Sequence, residues 1–418
     1  MTLSTIDEWI DDRTEAMVEL QKQLTSRPAL NPETGGKGEW EKANFLENWL
    51  EKHGLGPARH FDTPDDRVPG GSRPNFIVSL GGQHGAPTTW VMTHLDVVPA
   101  GERQSDGTCA GWDSDPFTVR REGDRLYGRG VEDNQQSMVA SIFAALAVRN
   151  GDLPPPGPVN LLFVSAEETG SEYGLKWLLH EHEDLFSTDD IILVPDGGRD
   201  DGTLIEIAEK SVLWVTFRIH GEQTHGSSPH LGRNAFRAGI KLAERLDEEL
   251  HATFDLTDEV FCPPESTFEP TRHPANVPNV NTVPGKEVFS FDCRVLPDVD
   301  LDDVIECMRS NMREIDDRMG TETELELDNR LQAPPPTPHD APAVGMLQKA
   351  IKDVYNEQAE PRGIGGSTVA AYFRQRGYPA VVWSRILATA HQANECCLIP
   401  NMVGDAKVFA RIFARESR

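Results

Sequence analysis

The chain has 418 residues and a formal net charge of −28, from 68 acidic and 40 basic side chains. That length carries two or more domains and a large core. The acidic excess excludes nucleic acid and anionic membrane as partners, because phosphate contacts need clustered lysine and arginine.

The acids are scattered through every segment and the basic residues favour arginine over lysine. Such a surface predicts adaptation to molar salt, where screening removes self-repulsion, with an ordinary acidic enzyme as the alternative. Six cysteines (Cys109, Cys262, Cys293, Cys307, Cys396, Cys397) show neither zinc spacing nor a small disulfide framework, and are read as reduced. The N-terminus has no basic start followed by an apolar core, and no apolar run approaches membrane-spanning length. A cytoplasmic protein with no membrane contact is expected.

Thr5 and Glu8 have capping-box spacing, and Ile6, Ile10, Met17, Leu20 and Leu24 share one helical face. A second helix is predicted over 39–53, stopping at Gly54. Strands follow at 75–80 and 88–98, a helix at 137–149, a strand at 161–166, a helix at 174–185 and a strand at 191–194. This alternation argues for an α/β sheet with helices on its faces. From residue 212 the order becomes strand 212–219, helix 234–250, strand 287–295, helix 301–318 and strand 322–327. That β-α-β-α-β unit reads as an antiparallel sheet with helices on one face, inserted as a domain at 209–329 into a first domain formed by 1–208 and 330–418. The proline-rich stretch 333–338 suits the return linker. A helix at 344–355, a strand at 380–383 and a helix at 402–413 complete the first domain.

The apolar run 161–164 ends in two adjacent carboxylates, Glu167 and Glu168. An all-apolar run of this kind is a strand buried on both faces, and ligands bind outside the carboxyl ends of such strands. Neighbouring glutamates there repel unless a positive charge sits beside them. A solvated acidic loop is the plain alternative; a metal site with one glutamate as ligand and one as general base is the functional reading.

Three further strand ends repeat the theme. His94-x-Asp96 puts both side chains on one side of a strand by its period of two, and a carboxylate can hold the second nitrogen of a metal-bound histidine. Asp196 precedes two glycines, and His391 lies beyond the strand at 380–383. Asp133 sits at the mouth of a helix after glycines, in a pattern that is wrong for a phosphate loop. Singly, each has a structural explanation such as an N-cap or a turn. Together they are oxygen and nitrogen donors without thiolate, a set that suits zinc, cobalt or manganese.

In this order, His94-x-Asp96, Asp133, Glu167-Glu168, Asp196-Gly197 and His391 resemble the motifs of a co-catalytic metallopeptidase family. Its members include succinyl-diaminopimelate desuccinylase, acetylornithine deacetylase, aminoacylase and glutamate carboxypeptidase. The resemblance covers essentially the whole chain and implies a zinc-peptidase-like α/β catalytic domain with an inserted α+β, ferredoxin-like lid that also dimerises. It implies two divalent ions, zinc before cobalt or manganese: His94 and Asp196 on one, Glu168 and His391 on the other, Asp133 bridging. Asp96 would orient His94, and Glu167 would be the base that activates a metal-bound water. In the insert, His225 resembles the lid histidine that supports the oxyanion across the dimer. Asn281 and Arg294 resemble substrate contacts, and Gly365, Gly366, Ser367 and Thr368 a loop that holds a substrate carboxylate. The implied reaction is hydrolysis of the amide bond of an N-acyl amino acid bearing a free carboxylate. A dipeptidase or carboxypeptidase is the alternative, and an inactive binding homologue the alternative of another class. Two departures concern the substrate: Asn134-Gln135-Gln136 replaces the usual lysine and glycine, and Val369 stands where an aspartate is usual.

Overall fold

The structure, a computed structural model, describes residues 3–83, 85–102, 104–105, 109–151 and 153–414. The chain folds into two compact units. The first comprises residues 1–207, 337–361 and 368–418, and the second residues 208–336 and 362–367.

The first unit is built on an eight-stranded mixed sheet. At its centre Val159–Val164, Thr89–His94, Ile191–Arg199 and Ala380–Arg385 run parallel in that order. Phe76–Leu80 and Leu204–Glu209 join antiparallel on either side. Thr89–His94 is buried at every position, as expected of a strand covered on both faces. On one face Met92, Leu162, Val164, Ile192 and Val382 pack against Leu175, Leu178 and Phe373 of two short helices. On the other lies the helix Gln135–Asn150, buried at each position from Gln135 to Val148. A helix apolar all round must be covered; Ile399–Phe413, Leu3–Asp11 and Thr14–Thr25 cover it.

The second unit has a four-stranded antiparallel sheet in the order Thr267–Arg272, Lys286–Val295, Ser211–His220, Glu322–Leu331. Leu213, Val215, Phe217, Phe289 and Phe291 point from one face into a core closed by Leu242, Leu246, Val304 and Met308 of the helices Ala235–Thr253 and Leu301–Met319. Asn234 and Asp300 cap these helices by accepting from Arg237 N–H and Asp302 N–H.

Several elements differ from the sequence expectation. Thr5 lies inside the first helix, which starts at Leu3, so the capping box does not form. The strand predicted over 88–98 stops at His94, and the helix predicted over 174–185 ends at Glu181. Strands Leu204–Glu209, Thr267–Arg272 and Glu360–Ile364 were not expected from the pattern. Thr267–Arg272 carries Pro270 and is largely exposed, which an edge strand tolerates. Residues 362–367 join the second unit because Gly363 N–H donates to Val260 O (2.8 Å) and Lys210 N–H to Ile364 O (3.0 Å). All six cysteines are free thiols. Among the described residues no helix is long and apolar enough to cross a membrane.

Candidate metal centre

The site forms where the four central parallel strands of the first unit end. Thr89–His94 delivers His94, whose Nε2 lies 3.0 Å from Asp133 Oδ1 and 3.4 Å from Asp196 Oδ1. Val159–Val164 leads into a 3-10 turn, Glu167–Thr169, through Ala166 at φ 56°. That left-handed residue reverses the chain abruptly, a strained conformation for alanine. The loop after Ala380–Arg385 brings His391 Nε2 to 3.1 Å from Asp133 Oδ2 and 3.0 Å from Glu168 Oε2. Ligand atoms of His94, Glu167 and Asp196 lie within 4.8 Å of one another, as do those of His94, Asp133 and Glu168.

These spacings fit metal ions. Donors about 2.1 Å from a shared ion, at angles of about 90–110°, stand about 3.0–3.4 Å apart. The donors are nitrogen and oxygen only, the harder set of a zinc, cobalt or manganese hydrolase. Electrostatics points the same way, because carboxylates outnumber histidines. Burial, then Asp196, drives the Glu167 carboxyl well above its usual range, and burial raises Glu168. Hydrogen bonds to Asp133 and Glu168 raise His391 to about 10. Burial alone would lower His94, but Asp196 and Asp133 override it and hold it well above its usual value. The protein's own groups take up protons where cations would otherwise balance the carboxylates. Geometry puts Glu167 in a ligand-spaced group whereas the resemblance makes it the base; a carboxylate beside His94 and Asp196 can serve either purpose.

Asp96 departs in detail from its expected contact. His94 Nδ1 is nearer the Asp96 backbone carbonyl (3.0 Å) than its carboxylate (3.5 Å). The carboxylate instead accepts from Glu167 N–H (3.1 Å), Glu168 N–H (3.0 Å) and Asn31 Nδ2 (2.8 Å). It thereby anchors the turn that presents both glutamates. Behind it, Arg73, fully buried, donates to Asn31, Glu39 and Asp65. Asn134 Nδ2 donates to Asp196 Oδ1 (2.8 Å) while its Oδ1 accepts from His94 N–H (3.3 Å). Asn31, Glu39, Arg73 and Asn134 were not singled out as site residues. For the first three no local signal exists, since their partners lie far along the chain.

The remaining expected residues fall into separate groups. On the second unit, His225 is exposed, with Nδ1 2.8 Å from the Ser227 hydroxyl. The bridge of Thr224–His225 to Thr282–Val283 brings Asn281 beside it, with Gly226 N–H donating to Asn281 O (2.7 Å). Arg294 forms a two-point ion pair with Asp292 (2.7 and 3.0 Å) and donates to Gly365 O (3.0 Å). Gly365 has open space where a side chain would stand, one at Gly366 would touch Ile364 Cδ1 at 3.8 Å, and Ser367 is exposed. Thr368, on the first unit, donates to Glu206 (3.1 Å). Val369, 2% exposed, packs into the apolar core with Phe373, so no polar group replaces the usual aspartate there.

A family model described as Peptidase family M20/M25/M40 matches residues 90–415. A Methanocaldococcus jannaschii protein described as an uncharacterised metallohydrolase is 35% identical over 418 aligned residues, 96% of this chain and 99% of the relative. Succinyl-diaminopimelate desuccinylase of Bordetella parapertussis is 27% identical over 91% of this chain and 92% of that protein. Among solved structures, aminopeptidase PepT of Bacillus cereus superposes with a TM-score of 0.73 at 16% identity, covering 96% of this chain and 98% of that one. Human carnosine dipeptidase 1 superposes at 0.70 and 17%, covering 99% and 98%. These two share the fold. With the family pattern spanning most of the chain and clusters of metal-spaced donors at its strand ends, the chain belongs to peptidase family M20/M25/M40, whose members are metal-dependent hydrolases of amide and peptide bonds, and it is one of them.

Proposed function

We propose that the chain is a two-metal deacylase that cleaves the amide bond of N-acyl amino acids. The observation that carries this reading is the partly buried Glu167 carboxyl, within 4.8 Å of ligand atoms of His94 and Asp196 and driven well above its usual range by burial and by Asp196. His94 and Asp196 would hold one divalent ion, Glu168 and His391 the other, and Asp133 both. Zinc is the proposed metal, with cobalt or manganese as alternatives. Two bound ions supply Lewis acidity, acidifying water and polarising the scissile carbonyl. Glu167 takes one proton from the attacking water and returns it to the leaving amine as the carbon–nitrogen bond breaks. Asp96 and Asn134 keep the ligands oriented.

Arg294, with Gly365 and Gly366 beside it, supports recognition of a substrate carboxylate. Because Asp292 already pairs Arg294, its Nη1 side is the one left to the loop. Asn281 and His225 are proposed to complete the substrate contacts, His225 by donating to the oxyanion in a homodimer formed through the second unit. The acyl preference draws on the Bordetella desuccinylase, a relative with a stated substrate that matches across most of this chain. Dipeptide or C-terminal peptide hydrolysis is the second reading.

The experiment is an assay of the metal-loaded protein on N-acetyl amino acids, N-succinyl amino acids and dipeptides. A higher kcat/KM for an N-acyl substrate is expected; faster turnover of a dipeptide overturns the acyl reading, and no turnover at all overturns both. The acidic surface is proposed to fit molar salt. A Tm that stays flat from dilute buffer to molar potassium chloride would remove that proposal.

A further inference from the structure

Two buried glutamates outside the ligand set join the loops that carry Asp133 and His391. Glu132 directly precedes Asp133, and Glu395 follows His391 by one helical turn's worth of sequence. Glu132 is 2% exposed and Glu395 0%. Glu395 Oε1 accepts from the N–H groups of Glu132 (2.9 Å) and Asp133 (3.1 Å). Its Oε2 accepts from Gly130 N–H (3.0 Å) and the Arg129 guanidinium (2.7 Å). Glu132 does the converse: Oε1 accepts from Leu387 N–H, and Oε2 from the N–H and hydroxyl of Thr389. Each loop's carboxylate is therefore occupied by the other loop's backbone.

The His391 loop needs such support. Ala388, His391 and Asn394 have φ values of 59°, 64° and 59°, the left-handed region that L side chains seldom adopt. Leu387 and Thr389 lie outside helices and strands, so their N–H groups have no ladder to join. Apolar contacts could close two loops together, but they slide. Charge-assisted hydrogen bonds on both oxygens of a carboxylate fix distance and direction. Burying two anions beside a carboxylate-rich site is costly unless their lone pairs are satisfied, and here backbone donors satisfy them.

We propose that Glu132 and Glu395 are reciprocal positioning residues. They set the distance between Asp133 and His391, and with it the affinity of the ion that these two side chains and Glu168 would hold. The inference rests on the two-metal reading above. Its test is titration of cobalt(II) into metal-free wild type, Glu132→Gln and Glu395→Gln, followed by visible absorption that reports the ligands of each ion. Wild type should take up two equivalents. Each variant should keep one and bind the other about 10–100-fold more weakly, with unchanged far-ultraviolet circular dichroism. Variants that bind both as wild type does, or that lose both to the same degree, overturn the clasp. Uptake of fewer than two equivalents by wild type overturns the two-metal reading instead, and the clasp with it. If a glutamine variant does not fold, Thr389→Val leaves the Thr389 N–H on Glu132 and removes the hydroxyl, which bonds Glu132 and the Cys396 backbone of the same loop. It should weaken one equivalent about fivefold, and no change there overturns the proposal equally.

Discussion

His94 and Asp96 are each 1% exposed at the end of a parallel strand, and their contacts reach as far as Asn31, Arg73 and Asn134. His225, on the second unit, is exposed and its ring bonds the tight turn at Ser227. The two histidines sit in opposite physical regimes. In the first unit, burial makes every unpaired charge expensive, so the groups around His94 are bound into one network. In the second, water satisfies whatever the fold leaves open. Function in the first unit should depend on the intact metal-holding network, and function at His225 should separate cleanly from it.

The sharpest test of that contrast lies at the adjacent glutamates. Glu167→Gln should cut turnover about 10²–10⁴-fold while both metals remain, because only proton transfer is removed. Glu168→Gln should lose one ion. Elemental analysis of both variants decides, and metal loss from the Glu167 variant alone reverses the two roles.

Next comes the buried cation behind the site. Arg73→Met leaves Glu39 without its charge partner in the interior. A loss of about 3–5 kcal/mol in denaturant unfolding is expected, and a loss below about 1 kcal/mol would break the picture of a network held by burial.

At His225 the expectation is inverted. His225→Ala should slow turnover about 10²–10³-fold, the cost of one oxyanion donor, with Tm and metal content unchanged. Mixing inactive His225→Ala chains with inactive Glu167→Gln chains should restore activity once subunits exchange. A mixture as dead as its parents removes the action across a dimer.

The smallest effect concerns Asp405, fully buried and bonded to Tyr355 Oη (2.8 Å) and Gln136 Nε2 (3.0 Å). Burial raises its carboxyl to about 7, from a usual value of 3.8. The folded state therefore holds this proton when the unfolded chain has released it, so stability falls as pH rises from about 4 to about 7. Asp405→Asn removes that slope. The variant should gain on wild type by about 1 kcal/mol or more at pH 8 and not at pH 4, measured by thermal unfolding at both.

Several features were legible from sequence because they are local. The runs at 161–164 and 191–194 had to be strands, and their ends had to present Glu167, Glu168 and Asp196, since side-chain period and strand termination depend on neighbours alone. The amphipathic faces at 234–250 and 301–318 likewise specified helices on one side of a sheet. Less was legible near one edge of the large sheet, where Leu204–Glu209 and Glu360–Ile364 become strands through the neighbours that pair with them.

Residues His94, Asp96, Asp133, Glu168, Asp196 and His391 were visible as chemistry before any contact was known, because donor types and strand-end positions are written along the chain. Their partners were not. Which side chain satisfies a buried carboxylate depends on the distant segments that close over it, as Asn31 does for Asp96 and Leu387 and Thr389 do for Glu132. Hydrogen-bond pairing over such separations leaves no periodicity in either segment, so only the folded chain could assign it.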